Sequence, residues 1–162
     1  MRGSTIVVSA DPKGKFVEGT IAATWTTAKP GMIAQADPTV ALKGGRQTWK
    51  PFTRGANGAR PAGPLIVLRE NSLVGATTAT GYNAGDRAFG YIPEMGDELN
   101  VLLKDIAGTA DVHNAGELLI VEDTTGKLIV TTGSPASQPF QLNETILAPT
   151  QDTLAWVTTG AI

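Results

Sequence analysis

Cysteine is absent from the 162 residues, and histidine occurs once, at His113. Without cysteine there is no disulfide framework, no thiolate nucleophile and no cysteine-ligated zinc or iron–sulfur centre. A lone histidine excludes a multi-histidine metal site within one chain. Aromatic residues make up only 6% and charged residues 17%. The 13 Lys and Arg nearly balance the 15 Asp and Glu, for a net charge of −2, so no bulk charge draws the chain to nucleic acid or to an anionic membrane. No apolar run approaches the roughly 18 residues of a membrane span, and Ile6-Val7-Val8 is far shorter than a signal-peptide core. Composition therefore predicts one soluble domain without catalytic machinery, needing no cofactor, made and kept in the cytoplasm.

Turn-forming residues are plentiful: 19 Gly and 10 Pro together exceed the roughly 12% of average usage. Threonine recurs in Thr24-Trp25-Thr26-Thr27 and Thr77-Thr78-Ala79-Thr80, and β-branched residues favour strands. Leu65-Ile66-Val67-Leu68, bounded by Pro64 and Arg69-Glu70, suits a strand buried on both faces. A strand at Arg87 to Ile92 follows the turn signal Asn83-Ala84-Gly85-Asp86, and Met95-Gly96-Asp97 turns the chain into Glu98 to Leu103, where Leu99, Val101 and Leu103 share a face. Leu118 to Val121, the turn Glu122 to Lys127 and Leu128 to Val130 read as a hairpin, with Gly126 free to take positive φ. Further strands are expected around Phe140 to Leu142 and Leu154 to Val157. Short helices could lie only within Asp86 to Leu103 or Asn143 to Ala148. No repeat stands out at periods of 20 to 50 residues. The predicted class is all-β, a small barrel or sandwich.

Residues 1 to about 45 read differently. Their apolar residues come in short pieces between Asp11-Pro12, Lys29-Pro30-Gly31 and Asp37-Pro38, so this stretch is predicted to be an extended arm, with Ile6 to Val8 and Thr20 to Thr27 as short strands. Residues 46–162 then form the β-domain. The simpler alternative for the arm is a surface meander packed on its own domain.

Catalytic material is poor. The five serines include none in a G-x-S-x-G setting, and His113, in the polar loop Asp111 to Glu117, reads as a surface loop residue. Asp97 and Glu98, as strand neighbours, point to opposite faces and cannot share a proton, and a solvated polar turn is the plain reading. Thr125-Gly126-Lys127 lies in a hairpin turn without the first glycine of a phosphate loop, and Asn143-Glu144-Thr145 has glycosylation spacing but no secretory signal beside it. Charge placement is the one asymmetry. Lys43, Arg46, Lys50, Arg54, Arg60 and Arg69 surround Trp49 and Phe52 with no acid between residues 43 and 69, whereas residues 86 to 123 hold nine acids against Arg87 and Lys104. Such segments can neutralise each other within the domain, meet across an interface between copies, or bind a nucleic-acid strand. The low net charge argues against the last.

Landmarks in consistent order carry a resemblance: Lys29-Pro30-Gly31-Met32, Gly44-Gly45-Arg46-Gln47-Thr48-Trp49-Lys50-Pro51-Phe52, Arg60-Pro61-Ala62-Gly63-Pro64, Gly81-Tyr82-Asn83-Ala84-Gly85-Asp86, Gly96-Asp97-Glu98-Leu99-Asn100, Gly116-Glu117-Leu118-Leu119, Gly126-Lys127-Leu128 and Pro139-Phe140. The sequence resembles the head decoration, or cement, proteins of tailed bacteriophages. That resemblance implies a β-rich, tulip-like barrel with no catalytic residues or metal. It implies many copies on the outside of an icosahedral capsid, with the major capsid protein as partner and a homotrimer, alternatively a homodimer, as the unit. Neither nucleic acid nor membrane is an expected partner. Within that setting the arm is suited to adding a strand to a capsid sheet edge, with Ile6, Val7, Val8 and Trp25 as anchors. Arg46, Trp49, Lys50, Phe52 and Arg54 form a second candidate contact. For both sets the alternative is ordinary core packing. The competing function is a carbohydrate- or ligand-binding β-domain of a phage tail or adhesion protein, which the few aromatics disfavour. More distant is a trimeric hydrolase whose metal would need Asp86, Asp97, Asp111 and Asp123.

Overall fold

The computed structural model describes residues 6–53, 63–104, 112–130, 140–147 and 151–160. The described residues form strands, bridges and turns, without a helix. The strands are β1 (Lys15–Ile21), β2 (Ile33–Ala36), β3 (Gln47–Pro51), β4 (Ile66–Leu68), β5 (Arg87–Ile92), β6 (Glu98–Leu103), β7 (Leu118–Val121), β8 (Leu128–Val130), β9 (Phe140–Leu142) and β10 (Thr153–Thr159). The all-β class expected from composition is therefore what forms. The hairpin at Leu118 to Val130 pairs Leu119 with Val130 and Val121 with Leu128, and Gly126 takes the positive φ of 76° that its turn requires. Neither stretch open to a short helix contains one as far as it is described, strands, turns and a bridge standing there instead.

The strands close into two barrels, ordered β1-β3-β2-β4-β5 and β10-β6-β8-β7-β9. Replacing β1 to β5 by β6 to β10 in turn converts the first circular order into the second. In each barrel the first and third strands run parallel, Ile21 facing Trp49 and Leu103 facing Leu128, and the remaining pairs are antiparallel. The chain is thus an architectural duplication that a search at short periods does not reveal. Aligned on those rungs, KFVEGTI of β1 and the residues Asp97 to Leu103 share no identity.

The expected boundary near residue 45 is corrected here. β1 and β2 precede it, and both are staves of the first barrel. The reason is side-chain complementarity rather than periodicity. Trp49 of β3 is fully buried, and a Cβ added at Gly19 of β1 or at Gly90 of β5 would stand 2.2 Å or 2.9 Å from its indole. Two glycines on separate strands thus make room for one large ring. The strand read at Thr20 to Thr27 starts earlier, at Lys15, and ends at Ile21. β2 and β3 escaped the sequence reading, β2 being only four residues long and β3 ending on Pro51.

Two cores result, and one of them crosses between the barrels. Ile33, Leu65, Val67 and Tyr91 of the first half pack with Leu99, Val101, Leu119, Phe140 and Val157 of the second. The other gathers Trp25, Trp49, Ile66 and Leu68 and takes in Leu102 from β6. Backbone bonds tie the same joint: Ile33 N–H donates to the Gly126 carbonyl (2.6 Å) and Leu102 N–H to the Gly31 carbonyl (2.9 Å).

Asp97 secures the turn between the barrels. A solvated edge was expected, but the side chain is buried, at 1% exposure. Its carboxylate accepts from the Tyr91 hydroxyl (2.6 Å) and from the amides of Glu94 (2.9 Å), Lys13 (3.0 Å) and Gly14 (3.2 Å). Burial works to raise its pKa, yet these donors, led by Tyr91, outweigh it and hold the carboxyl below the usual carboxylate range. The Tyr91 phenol moves the other way, pushed up to about 12 by burial and by the Asp97 carboxylate.

Candidate interaction surface

Among the described residues no group of three or more His, Asp or Glu is placed to hold a metal ion. His113 is not the surface residue expected. It is 5% exposed because its backbone pairs with Ile146 in both directions, at 2.9 Å and 2.8 Å, which draws the ring inward to a point 3.5 Å from Glu117 Oε2. Asp111 lies outside the described residues.

The arm contacts resolve into core and pairing. Ile6 is fully buried in the core that crosses the barrels, and Val7 packs against it. The segment does add to a sheet edge, but to one in its own chain. Val7 bridges Leu99 in antiparallel fashion, Asn100 N–H donates to the Ile6 carbonyl (2.8 Å), and Val8 and Ser9 N–H both donate to the Glu98 carbonyl, at 2.9 Å and 3.2 Å. Ser9 Oγ in turn accepts from Glu98 N–H (2.7 Å). Val8 alone of the three aliphatics keeps an exposed side chain, and Trp25 is buried in the first barrel. For Ile6 and Trp25 the packing alternative is thus the one realised.

The second candidate set is scattered. Trp49 is core, and Phe52 packs partly buried against the shared core. Arg46 pairs with Glu18 (3.4 Å) and Lys50 with Asp37 (3.4 Å). The acids that meet these cations therefore come from β1 and the β2–β3 loop, not from the acid-rich stretch 86 to 123. Arg54 lies outside the described residues.

The first half of β1 presents the most distinctive open surface. Phe16 is 56% exposed; its ring lies 5.0 Å from that of Tyr91, and the Arg69 guanidinium stacks over it at 4.5 Å. Two residues on, Glu18 accepts from Arg87 (2.6 Å) and from Arg46. The Arg87 hydrogen bond, assisted by its charge and by Arg46 against a smaller opposing effect of burial, holds the Glu18 carboxyl below its ordinary pKa. Lys15 is exposed one residue back along the strand, on its opposite face. Arg69 thus covers the exposed aromatic, and Arg46 and Arg87 share the one carboxylate beside it. Sequence reasoning passed over Phe16, which sits in Lys13-Gly14-Lys15-Phe16 without a motif. The only legible hint was an aromatic placed between charged neighbours.

No protein-family model matches the chain, and no curated protein does. Among solved structures, the head fiber gp8.5 N base of bacteriophage phi29 is similar in fold. The two superpose with a TM-score of 0.51 over 90% of this chain and 95% of that one, at 10% sequence identity. The likeness is one of architecture and takes in both barrels.

Proposed function

We infer that the chain is a non-enzymatic structural protein of a tailed-phage head. It binds the outer surface of an icosahedral capsid in many copies and stabilises the shell by stapling neighbouring major capsid protein subunits. The observation that carries this reading is the fold shared with a phage head fiber base over nearly the whole of both chains. The decoration-protein resemblance of the sequence points the same way, through residues and not through architecture.

The stabilisation follows from linkage. A protein that binds the assembled shell but not its separated subunits shifts the equilibrium toward the shell, by about 2.7 kcal/mol per site at a hundredfold excess over Kd. A homotrimer adds avidity, because its second and third contacts are intramolecular. The test uses emptied, expanded heads of the phage whose genome encodes the chain. The protein should sediment with them at micromolar concentration and raise the temperature at which they break up. Heads that sediment and melt unchanged at saturating protein would exclude the reading. Light scattering on the free protein reports whether the unit is a trimer.

A further inference from the structure

Because the barrels repeat one strand order, each group on β6 has a counterpart on β1. The parallel rungs align them. Leu103 faces Leu128 as Ile21 faces Trp49, and Lys104 N–H donates to the Leu128 carbonyl (2.9 Å) as Ala22 N–H donates to the Trp49 carbonyl (2.8 Å). Stepping back two residues at a time along that side of the strand, Leu102 corresponds to Thr20, Asn100 to Glu18 and Glu98 to Phe16. On β6 this side is filled, since the Asn100 N–H and the Glu98 carbonyl bond to Ile6 and Val8 of the N-terminal segment.

On β1 it is not. Ile21 N–H donates to the Asp86 carbonyl (3.0 Å), which aims the odd-numbered residues of β1 at β5 and the even-numbered ones away from it. β3 joins that second side only from Gly19 onward. The Glu18 N–H and the Phe16 carbonyl, counterparts of the two groups that hold the arm on β6, have no backbone partner among the described residues. Each chain has one Ile6–Val8 segment and two edges of this kind, and among the described residues nothing pairs with the second.

We propose that the Phe16–Glu18 edge of β1 is a strand-addition site for an extended segment of a partner protein, one with β-branched apolar residues flanked by acidic ones. The backbone supplies a donor and an acceptor at the spacing β6 uses, and exposed Phe16 supplies apolar contact for the incoming strand. Charge selects the occupant. Arg46 and Arg87 share the Glu18 carboxylate and Arg69 lies over Phe16, so the arginines on this face outnumber the carboxylate they pair with, an acidic segment is attracted, and two copies of this edge repel each other. The assignment stands apart from the capsid reading, which names a setting and not an edge.

Residue-resolved amide hydrogen exchange on the full chain tests it, with a synthetic peptide in which Ile-Val-Val is flanked on each side by two glutamates. In the free protein the Glu18 N–H should exchange roughly tenfold or more faster than the Asn100 N–H, and saturating peptide should slow Glu18 by a similar factor while leaving Asn100 unchanged. A peptide with lysines in place of the glutamates should give no slowing. Phe16→Asp, at an exposed side chain, should leave the fold intact and weaken the acidic peptide by roughly tenfold. Slow Glu18 exchange in the free chain at every dilution would overturn the proposal, because the edge would already be covered. Slow exchange that fades on dilution would assign the edge to a second copy instead. Fast Glu18 exchange at millimolar acidic peptide, or equal protection by the basic one, would also overturn it.

Discussion

At the scale of single residues, Asp97 and Trp49 carry the clearest consequences. Asp97 has its pKa held down in the folded state by four donors, so its contribution to stability is complete above the unfolded carboxylate value of about 3.9. That contribution is lost as pH falls through the lower folded value. Asp97→Asn removes the charge and turns an amide N–H toward backbone donors. Urea unfolding at neutral pH should show a loss of about 2–3 kcal/mol, and the acid-side slope of stability against pH should flatten. Gly19→Ala drives a methyl into the Trp49 indole and should cost about 1–3 kcal/mol in the same assay. The role of Asp97 was not legible in the sequence. An aspartate after Met95-Gly96 reads as a turn residue, and the donors that bury it come from Lys13, Gly14 and Tyr91, which no local pattern joins to it. Trp49, aromatic among cations, read as an interface candidate with core packing as its alternative, and the glycines opposite it show that core packing is what forms.

At the scale of elements, the strands that local pattern could reach were those that are apolar and turn-bounded. β4, β5, β6, β7, β8, β9 and β10 all have such signals in Leu65 to Leu68, Arg87 to Leu103, Leu118 to Val130 and the segments after it. The N-terminal strands lacked them. β1 begins with Lys15 and carries Glu18 and Gly19, because its first half has no second strand beside it among the described residues and its second half makes room for Trp49. The Ile6–Val8 segment was legible as a strand-adding element, though its partner edge proves to be β6 of the same chain. Ile6→Ala should therefore cost about 2–5 kcal/mol of stability by cavity formation, and deletion through Ser9 should lower the thermal midpoint and not merely remove a contact surface. A truncated protein that melts like the full chain would contradict this placement.

At the scale of the whole molecule, the two barrels have one strand order each but not one core each. Ile33, Leu65, Val67 and Tyr91 bury themselves against second-barrel residues, so cutting the chain after Pro93 would expose them. Calorimetry should find a single unfolding transition with equal calorimetric and van't Hoff enthalpies, and the fragment ending at Pro93 should not fold alone. Two separate transitions would show that the shared core contributes little. The placement of Ile6 also sets an order of events during synthesis. Every stave of the first barrel is complete once Ile92 has left the ribosome, but the strand that receives Ile6–Val8 begins only at Glu98. The earliest of the described residues to emerge are thus held back until much of the chain is made. Their Ile-Val-Val run waits uncovered through that interval, and any chaperone that attends this protein would meet it there.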